Sequence, residues 1–366
     1  MIIPARHCRF LKTQTIKIMT KSYLLSFLIC AFFLTCHAQN KPVKVILDTD
    51  MALDCEDMNA LCLLHAFADA GEAEIIATIA SGYETNRASG ATIDAINTFY
   101  GRPDIPVGAT KIHYIFQRNA VPIAPSPWTP AVRDNFPHDV PNDDKCPSAV
   151  SVYRKALSQQ PDNSVVIVTT GWLVNLQDLL NSKPDINSDL NGKELVSLKV
   201  KELSVMGGSF PGGDYPKGWE YNFAYGGVGR CSKYVLENWP ENVPVMISGF
   251  EIGAKIISGK VYKEELPDSP LRTGLESAWN ALSAGRPSWD ETSVIYAVRG
   301  LSFEGEEYWK VQSEGSAYVN DTTGSSKWLE TPDKNQSYLI ESMVPDSLAR
   351  IMERLILEST RNAISK

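Results

Sequence analysis

The chain has 366 residues, of which 43% are hydrophobic and 21% are charged, and its formal net charge is −8. This is the composition of a folded protein, and the length suits one large α/β domain or two ordinary ones. The acidic balance disfavours nucleic-acid polymers and anionic membranes as partners, because both repel a negative surface.

The amino-terminal segment predicts a secretory signal peptide. Lys21 precedes an apolar run over residues 23–34, and the best cleavage site follows Ala38. The run is shorter than the about 20 apolar residues of a membrane span, so no stable span is expected. We expect residues 1–38 to be removed, with Met19 as an alternative start, and the product to be secreted or periplasmic. Lipid attachment at Cys36 is a second interpretation. Cleavage removes five basic residues and no acid, so −8 becomes −13.

Apolar strands and amphipathic helices alternate after the cleavage site. The pattern predicts strands over 44–47, 74–80 and 105–108, with helices over 58–70 and 88–100. Residues 109–146 lose the periodicity and contain many prolines, which predicts a long loop. Such β-α-β alternation is typical of a parallel sheet covered by helices.

The second half continues the alternation and shows no linker, so residues 39–366 are predicted to form one domain. Helices are predicted over 149–157, 173–180, 271–282 and 346–359, and strands over 164–169, 198–206 and 243–247. An apolar segment over 294–298 and strand fragments around Tyr308 and Trp328 complete the chain. The four cysteines beyond residue 38 form no CxxC motif, which favours buried thiols over a disulfide scaffold or a zinc site.

Five acidic residues lie within ten positions where the first strand meets the first helix: Asp48, Asp50, Asp54, Glu56 and Asp57. Convergent carboxylates require a cation or raised pKa values, and their oxygen atoms suit calcium or magnesium. A solvated helix start, which the helix dipole favours, accounts for only one or two of them. Asp48-Thr49-Asp50 also resembles the Asp-x-Asp start of haloacid-dehalogenase phosphatases, although Ala52 stands where those enzymes typically have Thr or Val.

Later strands also end in polar or glycine-rich segments. Ligands of α/β sheets gather outside the carboxyl ends of the strands, so these segments are predicted to converge with the acidic corner. They are Thr170-Gly171-Trp172, Gly207-Gly208-Ser209-Phe210 and Gly249-Phe250-Glu251.

Taken together, these motifs resemble those of the inosine-uridine-preferring nucleoside hydrolase family. The family corner Asp-x-Asp-Pro-Gly-x-Asp-Asp is similar to residues 48–57, here two residues longer. Further similar segments follow in family order: Thr170-Gly171-Trp172-Leu173-Val174-Asn175, Val205-Met206-Gly207-Gly208, Glu220-Tyr221-Asn222 and Trp289-Asp290.

The resemblance implies a single Rossmann-like α/β domain with a mainly parallel sheet flanked by helices. It also implies a calcium-dependent N-ribohydrolase that acts on a small riboside, with homo-oligomers as a further expectation. Asp50, Asp57 and Asp290 would bind Ca²⁺ together with the carbonyl of Thr170. Asp50 would also be the catalytic base that activates a calcium-bound water, and Asp48 is expected to be a buried partner of the loop.

The resemblance assigns substrate contacts as well. Glu220 and Asn222 would bind ribose hydroxyls, with Asp214 in the preceding loop as a further candidate. Either Asp54 or Glu56 would contact the ribose, and the two extra residues leave that choice open. Carboxylates and Asn suit vicinal hydroxyl donors, and a negative pocket stabilises an oxocarbenium-like transition state.

One departure from the family concerns the leaving group. Trp289 stands where inosine-cleaving members often have a His, and indole cannot donate a proton at neutral pH, although it can stack on a base or a sugar. His113 and His138 in the long loop are alternative acids, whereas His65 is predicted to be a packed core residue. Several aromatic residues are candidates for a wall against the base, and of these we expect Phe223 and Tyr225 to be core. The candidates are Trp172, Phe210, Tyr215, Trp219, Tyr221, Phe223 and Tyr225.

Two other functions remain open at this point. A calcium- and sugar-binding protein with decayed catalysis would explain Trp289 and the altered corner. A phosphatase of the Asp-x-Asp type would explain the corner alone.

Overall fold

The structure is a computed structural model that describes residues 41–117, 120–331 and 334–365. The predicted signal peptide lies outside these residues, and from Pro42 onward the chain forms one unit. Within the described ranges, no helix is both long enough and apolar enough to cross a membrane.

Strands and helices alternate through the first half as predicted. The elements are β1 (Val43–Thr49), α1 (Glu56–Asp69), β2 (Ala73–Ala80), α2 (Ser89–Phe99), β3 (Val107–Ala109), α3 (Ile112–Gln117), α4 (Thr129–Asn135), α5 (Ala149–Ser158), β4 (Val165–Thr170), α6 (Val174–Leu180), α7 (Gly192–Lys199) and β5 (Val200–Met206).

Shorter elements dominate the second half. They are α8 (Tyr221–Ala224), a 3-10 turn (Tyr225–Gly227), α9 (Gly229–Asn238), β6 (Val245–Ser248), α10 (Phe250–Gly253), β7 (Ile257–Ser258), α11 (Tyr262–Glu265), α12 (Pro270–Ser277), α13 (Ala281–Ala284), β8 (Arg286–Pro287), α14 (Trp289–Arg299), β9 (Ser302–Phe303), β10 (Glu306–Glu307), β11 (Trp309–Gln312), β12 (Ser316–Val319), β13 (Ser326–Leu329), β14 (Gln336–Glu341) and α15 (Pro345–Ile364).

The main sheet has eight strands in the order β11-β14-β6-β5-β4-β1-β2-β3. All neighbours are parallel except the edge pair β11 and β14. The order reverses at β1, which has β2 on one side and β4 on the other. Such a reversal opens a crevice at the carboxyl ends of the two strands, where doubly wound sheets bind ligands. The predicted fold class is thereby confirmed.

Helices cover both faces of the sheet, and β1 shows how the sequence specifies them. Val45 and Leu47 belong to a buried cluster with Leu61 of α1, which also includes residues of α14 and α15. Ile46 belongs to the opposite cluster with Leu176 of α6, which also includes residues of α5 and α9. Successive strand residues point to opposite faces, so a strand that is covered on both faces needs an unbroken apolar run.

Two predictions of local structure were wrong, and one helix was missed. Residues 109–146 contain α3 and α4, and Pro130 is compatible with α4 because it lies in the first turn, where a missing N–H costs nothing. The helix predicted over 271–282 breaks at Trp279 and Asn280, whose φ angles are 32° and 64°. Helix α7 was not predicted, although Asn191 and Glu194 form a capping box at its start.

Candidate active site

A cavity of about 570 Å³ opens at the carboxyl ends of the central strands. Most of its lining comes from the segments after β1, β4, β5 and β6, which is the convergence predicted from the strand ends. Trp279, Arg286 and the start of α14 complete the lining. The lining residues are Asp50, Leu53, Asp54, Glu56, Asp57, Thr170, Met206, Glu220, Tyr221, Asn222, Tyr225, Phe250, Trp279, Arg286, Trp289 and Asp290.

Three buried carboxyl groups meet on one side of the cavity. Asp50 follows β1, Asp57 lies in the first turn of α1, and Asp290 lies in the first turn of α14. The side chain of Asp57 hydrogen-bonds with those of Asp50 and Asp290, and it also accepts a hydrogen bond from Thr49 Oγ1. Each of the three aspartates is at most 3% exposed.

Burial and mutual repulsion raise the pKa values of these three carboxyl groups above their ordinary range. Burial raises the pKa of Asp57 to about 7, although the hydrogen bond from Thr49 opposes the shift. The pKa values of Asp50 and Asp290 are raised well above their usual range by burial and by the neighbouring carboxylates. Three such groups cannot all ionise in contact unless a cation compensates their charge.

The end of β4, which pairs with β1 at the reversal of strand order, lies beside the same carboxyl cluster. Thr170 ends the strand and lines the cavity. A Cβ atom on Gly171 would lie 2.5 Å from the backbone nitrogen of Asp50, so no other residue fits without displacing one strand end. Glycine therefore allows β1 and β4 to close around the cluster.

Glu220 and Asn222 form a second polar wall. Glu220 accepts hydrogen bonds from the backbone N–H groups of Asn222 at 2.6 Å, Gly208 at 2.7 Å and Phe223 at 3.1 Å, and so caps α8. Burial raises the pKa of Glu220 to about 7, against the effect of these three donors. Asn222 Nδ2 donates to the carbonyl of Met206 at 3.2 Å, which orients the amide oxygen as an acceptor.

Asp54 and Glu56 both line the cavity, but their surroundings differ. Asp54 forms a two-pronged ion pair with Arg286, in which Nε donates to Oδ1 at 3.1 Å and Nη2 donates to Oδ2. Glu56 is 4% exposed, and its Oε2 atom has no hydrogen-bond partner within the described part of the chain. Burial and the charges of Asp54 and Asp57 raise the pKa of Glu56 well above its usual range.

Aromatic side chains form the remaining walls. Trp289 stacks on Phe250 with 5.1 Å between ring centroids, and its Nε1–H donates to the carbonyl of Phe250 at 3.1 Å. Tyr221 and Tyr225 lie 5.5 Å apart between centroids. Trp279 is 57% exposed and lines the cavity from the break between α12 and α13. Flat apolar surfaces of this kind suit an aromatic base or a sugar face.

The family model for inosine-uridine preferring nucleoside hydrolases matches residues 45–336. The chain belongs to this family. It is therefore a hydrolase that acts on N-glycosyl bonds.

Solved structures of low sequence identity share the fold of this hydrolase. An inosine-guanosine nucleoside hydrolase is 17% identical with a TM-score of 0.60, and the match covers 87% of this chain and 98% of the other. A plant nucleoside hydrolase is 16% identical with a TM-score of 0.59, covering 87% and 99%. The type III effector protein XopQ, complexed with adenosine diphosphate ribose, is 13% identical with a TM-score of 0.59, covering 88% and 95%. No curated protein sequence matches the chain.

Most of the residues that the sequence singled out lie in this cavity, and a few do not. Asp214 is exposed and is absent from the lining. His113 is exposed, and neither it nor His138 lines the cavity. Tyr225 was expected in the core but lines the cavity, so that expectation was wrong, whereas Phe223 is fully buried as predicted.

Trp279 and Arg286 line the cavity but lie outside every segment that the sequence singled out for the site. Leu53, Met206 and Phe250 also line it; they lie within singled-out segments, although none was named individually as a site residue. Arg286 follows a short helix and carries no motif, so nothing in the sequence relates it to Asp54.

Proposed function

We propose that this hydrolase cleaves the N-glycosidic bond of ribonucleosides or closely related ribosides, with Ca²⁺ as its cofactor, outside the cytoplasm. The observation that carries the proposal is the contact of Asp50, Asp57 and Asp290 at the sheet reversal, within the same cavity as Glu220 and Asn222. The first group suits a hard cation and the second suits ribose hydroxyls.

The donor atoms fit calcium in their chemistry. All are oxygens, and Asp50 Oδ2 is buried without a hydrogen-bond partner in the described residues. Within those residues, no three acidic, His or Cys side chains are already arranged around one point as metal ligands. Asp50, Asp57, Asp290 and the carbonyl of Thr170 would hold the ion. When bound, it lowers the pKa of a coordinated water and compensates the carboxylate charge.

The chain's own residues would carry the remaining steps. Asp50 takes the proton of the attacking water, which adds to the anomeric carbon as the bond to the base breaks. Glu56 would face the ribose hydroxyls, because Asp54 is already paired with Arg286. Asn222 would accept a further hydroxyl through its amide oxygen. The acidic lining favours the positive charge that develops on the sugar ring.

A direct test incubates residues 39–366 with a panel of ribonucleosides and adenosine diphosphate ribose, with calcium or with a chelator, and follows free ribose or ribosyl product. We expect calcium-dependent release from at least one ribonucleoside. Asp50→Asn should lower kcat by about 100-fold or more, the usual contribution of a general base. Bound calcium with no release from any nucleoside would refute ribonucleosides as substrates.

Glu56→Gln and Asp54→Asn form a matched pair, since both remove one charge from the corner between β1 and α1. We expect Glu56→Gln to raise KM for the riboside far more than Asp54→Asn does. A larger rise in KM for Asp54→Asn than for Glu56→Gln would assign the ribose contact to Asp54. Secretion is tested separately by sequencing the amino terminus of the exported protein, which should begin at Gln39.

A further inference from the structure

Cleavage of an N-glycosidic bond leaves an electron pair on the departing base, and the groups expected to stabilise it are committed elsewhere. Trp289 cannot donate, because its indole N–H is bonded to the carbonyl of Phe250 at 3.1 Å. His65 is buried in the core with Asn97, and neither His113 nor His138 lines the cavity. A donor for the leaving group must therefore be sought among the other lining residues.

Arg286 is the only basic residue among the described residues that line the cavity. Its Nε and Nη2 atoms donate to the two carboxylate oxygens of Asp54. A guanidinium has five N–H donors, so three remain for another acceptor. The side chains of Arg286 and Asp54 are each 26% exposed, so the pair is accessible from the cavity but is largely shielded from bulk water.

The pair also stands close to the reacting carboxyl groups. The charge of Asp54 raises the pKa of Asp50 and of Glu56, and the charge of Arg286 lowers the pKa of Glu56. Burial disfavours the charged form of Arg286, but Asp54 outweighs it and holds the pKa of the guanidinium above its ordinary range. Arg286 thus stays charged at any working pH and cannot act by giving up a proton.

We propose that Arg286 is the leaving-group residue of this hydrolase, which stabilises the departing base by charge and by hydrogen bonds to its ring nitrogen or carbonyl oxygen. The inference rests on the proposed function. The water oxygen bonds to the anomeric carbon, the carbon–nitrogen bond breaks, and its electron pair stays on the base beside the guanidinium. The proton of the water goes to Asp50, and the base takes a proton from solvent after it leaves. Asp54 is the positioning residue that fixes the guanidinium.

A simpler role for Arg286 would be to neutralise Asp54 and to order the loop over residues 51–55. The two roles differ in how the rate depends on the leaving group. A residue that stabilises developing negative charge matters most for a poor leaving group and least for a good one. A merely structural residue affects both equally.

The test measures kcat and KM of wild type and Arg286→Gln on three ribosides: a ribonucleoside, phenyl riboside and 4-nitrophenyl riboside. We expect Arg286→Gln to lower kcat on the first two by on the order of 100-fold, as the loss of one transition-state donor typically does. On 4-nitrophenyl riboside the loss should be no more than about threefold, because nitrophenolate needs little stabilisation. Arg286→Lys, which keeps the charge, should recover part of the rate. Arg361→Gln removes an exposed ion pair with Glu265 and should change nothing.

Equal losses on all three ribosides, or no loss on any, would overturn the proposal while leaving the hydrolase function intact. If Arg286→Gln fails to fold, the contrast between substrates in Arg286→Lys and Asp54→Asn decides instead, because both should still affect the poor leaving groups more. Wild type that cleaves the aryl ribosides but no nucleoside would refute the nucleoside proposal alone. Wild type that cleaves none of the three would refute both.

Discussion

A buried histidine should make this fold sensitive to acid. His65 lies in α1 with no solvent exposure and stacks on Tyr100 at 4.6 Å between centroids. Arg102 Nη1 donates to Nδ1 at 3.3 Å, so the ring hydrogen sits on Nε2 and is donated to Asn97 Oδ1 at 2.9 Å. Burial and the charge of Arg102 lower the pKa of His65 to about 3, although Asp69 opposes the shift.

The size and sign of the effect follow from this pKa. In the unfolded chain a histidine has a pKa of about 6.5, so below that pH the unfolded state binds a proton that the folded state refuses. The free energy of unfolding therefore decreases as the pH falls, by about 1.4 kcal/mol per pH unit until the pH approaches the folded pKa. Between about pH 7.5 and pH 5 this one residue should cost about 2 kcal/mol, most of it below pH 6.5.

The assay compares urea unfolding of wild type and His65→Gln at about pH 7.5, 6.5 and 5. Gln keeps a donor for Asn97 and an acceptor for Arg102 but does not titrate. Other titrating groups contribute to both proteins, so the difference between them isolates His65. We expect the stability of the variant relative to wild type to rise by about 2 kcal/mol between pH 7.5 and pH 5, and by somewhat less between pH 6.5 and pH 5. A difference that stays constant across this range would show that folded His65 binds a proton, and the reasoning would be wrong.

Three further predictions concern the site. Chelation should abolish ribose release. Asp290→Asn should raise the calcium concentration that restores activity, because one carboxylate ligand is lost. An unchanged calcium titration would contradict the assignment of Asp290. Gly171→Ala should lower stability by about 1–3 kcal/mol, since its Cβ would lie 2.5 Å from Asp50 N; an unchanged melting temperature by calorimetry would refute that contact. Glu220→Gln keeps only one acceptor oxygen, so backbone donors such as the N–H of Gly208 lose their partner. We expect the free energy of unfolding to fall by about 1–3 kcal/mol and KM to rise. A variant as stable as wild type would exclude the capping role.

Local pattern was enough to predict the strands whose ends carry the site. The unbroken apolar run of β1 indicated a strand covered on both faces, and Ile46 and Leu47 do lie in opposite clusters. Asp48 was expected to be a buried partner of the loop, and it accepts hydrogen bonds from Tyr153 at 2.8 Å and from Asn175. Both results depend on the period of side chains along a strand, which the sequence states directly.

The aromatic walls were beyond the reach of pattern. Tyr225 has the composition of a core residue and yet lines the cavity, whereas Phe210, a candidate for the wall, packs against Trp328 and Tyr338. Trp279 lay inside a predicted helix that its own left-handed backbone breaks. Apolar side chains look alike in a sequence whether they face a core or a ligand, and only the packing of neighbouring loops separates the two.

The sequence alone determined the mainly parallel sheet and its helical cover, which follow from the alternation of strands and helices and from the period of side chains along a strand. The acidic segment after β1 was expected at the ligand site because ligands gather at the carboxyl ends of parallel strands, whereas the roles of Asp57 and Asp290 came from the resemblance to the family. The sequence could not decide between Asp54 and Glu56 in a loop two residues longer than the family pattern. The tertiary structure shows that Asp54 pairs with Arg286 of β8, which lies 232 residues further along the chain, whereas Glu56 Oε2 has no partner among the described residues. Long-range charge pairing has no period, so it becomes visible only in the folded protein.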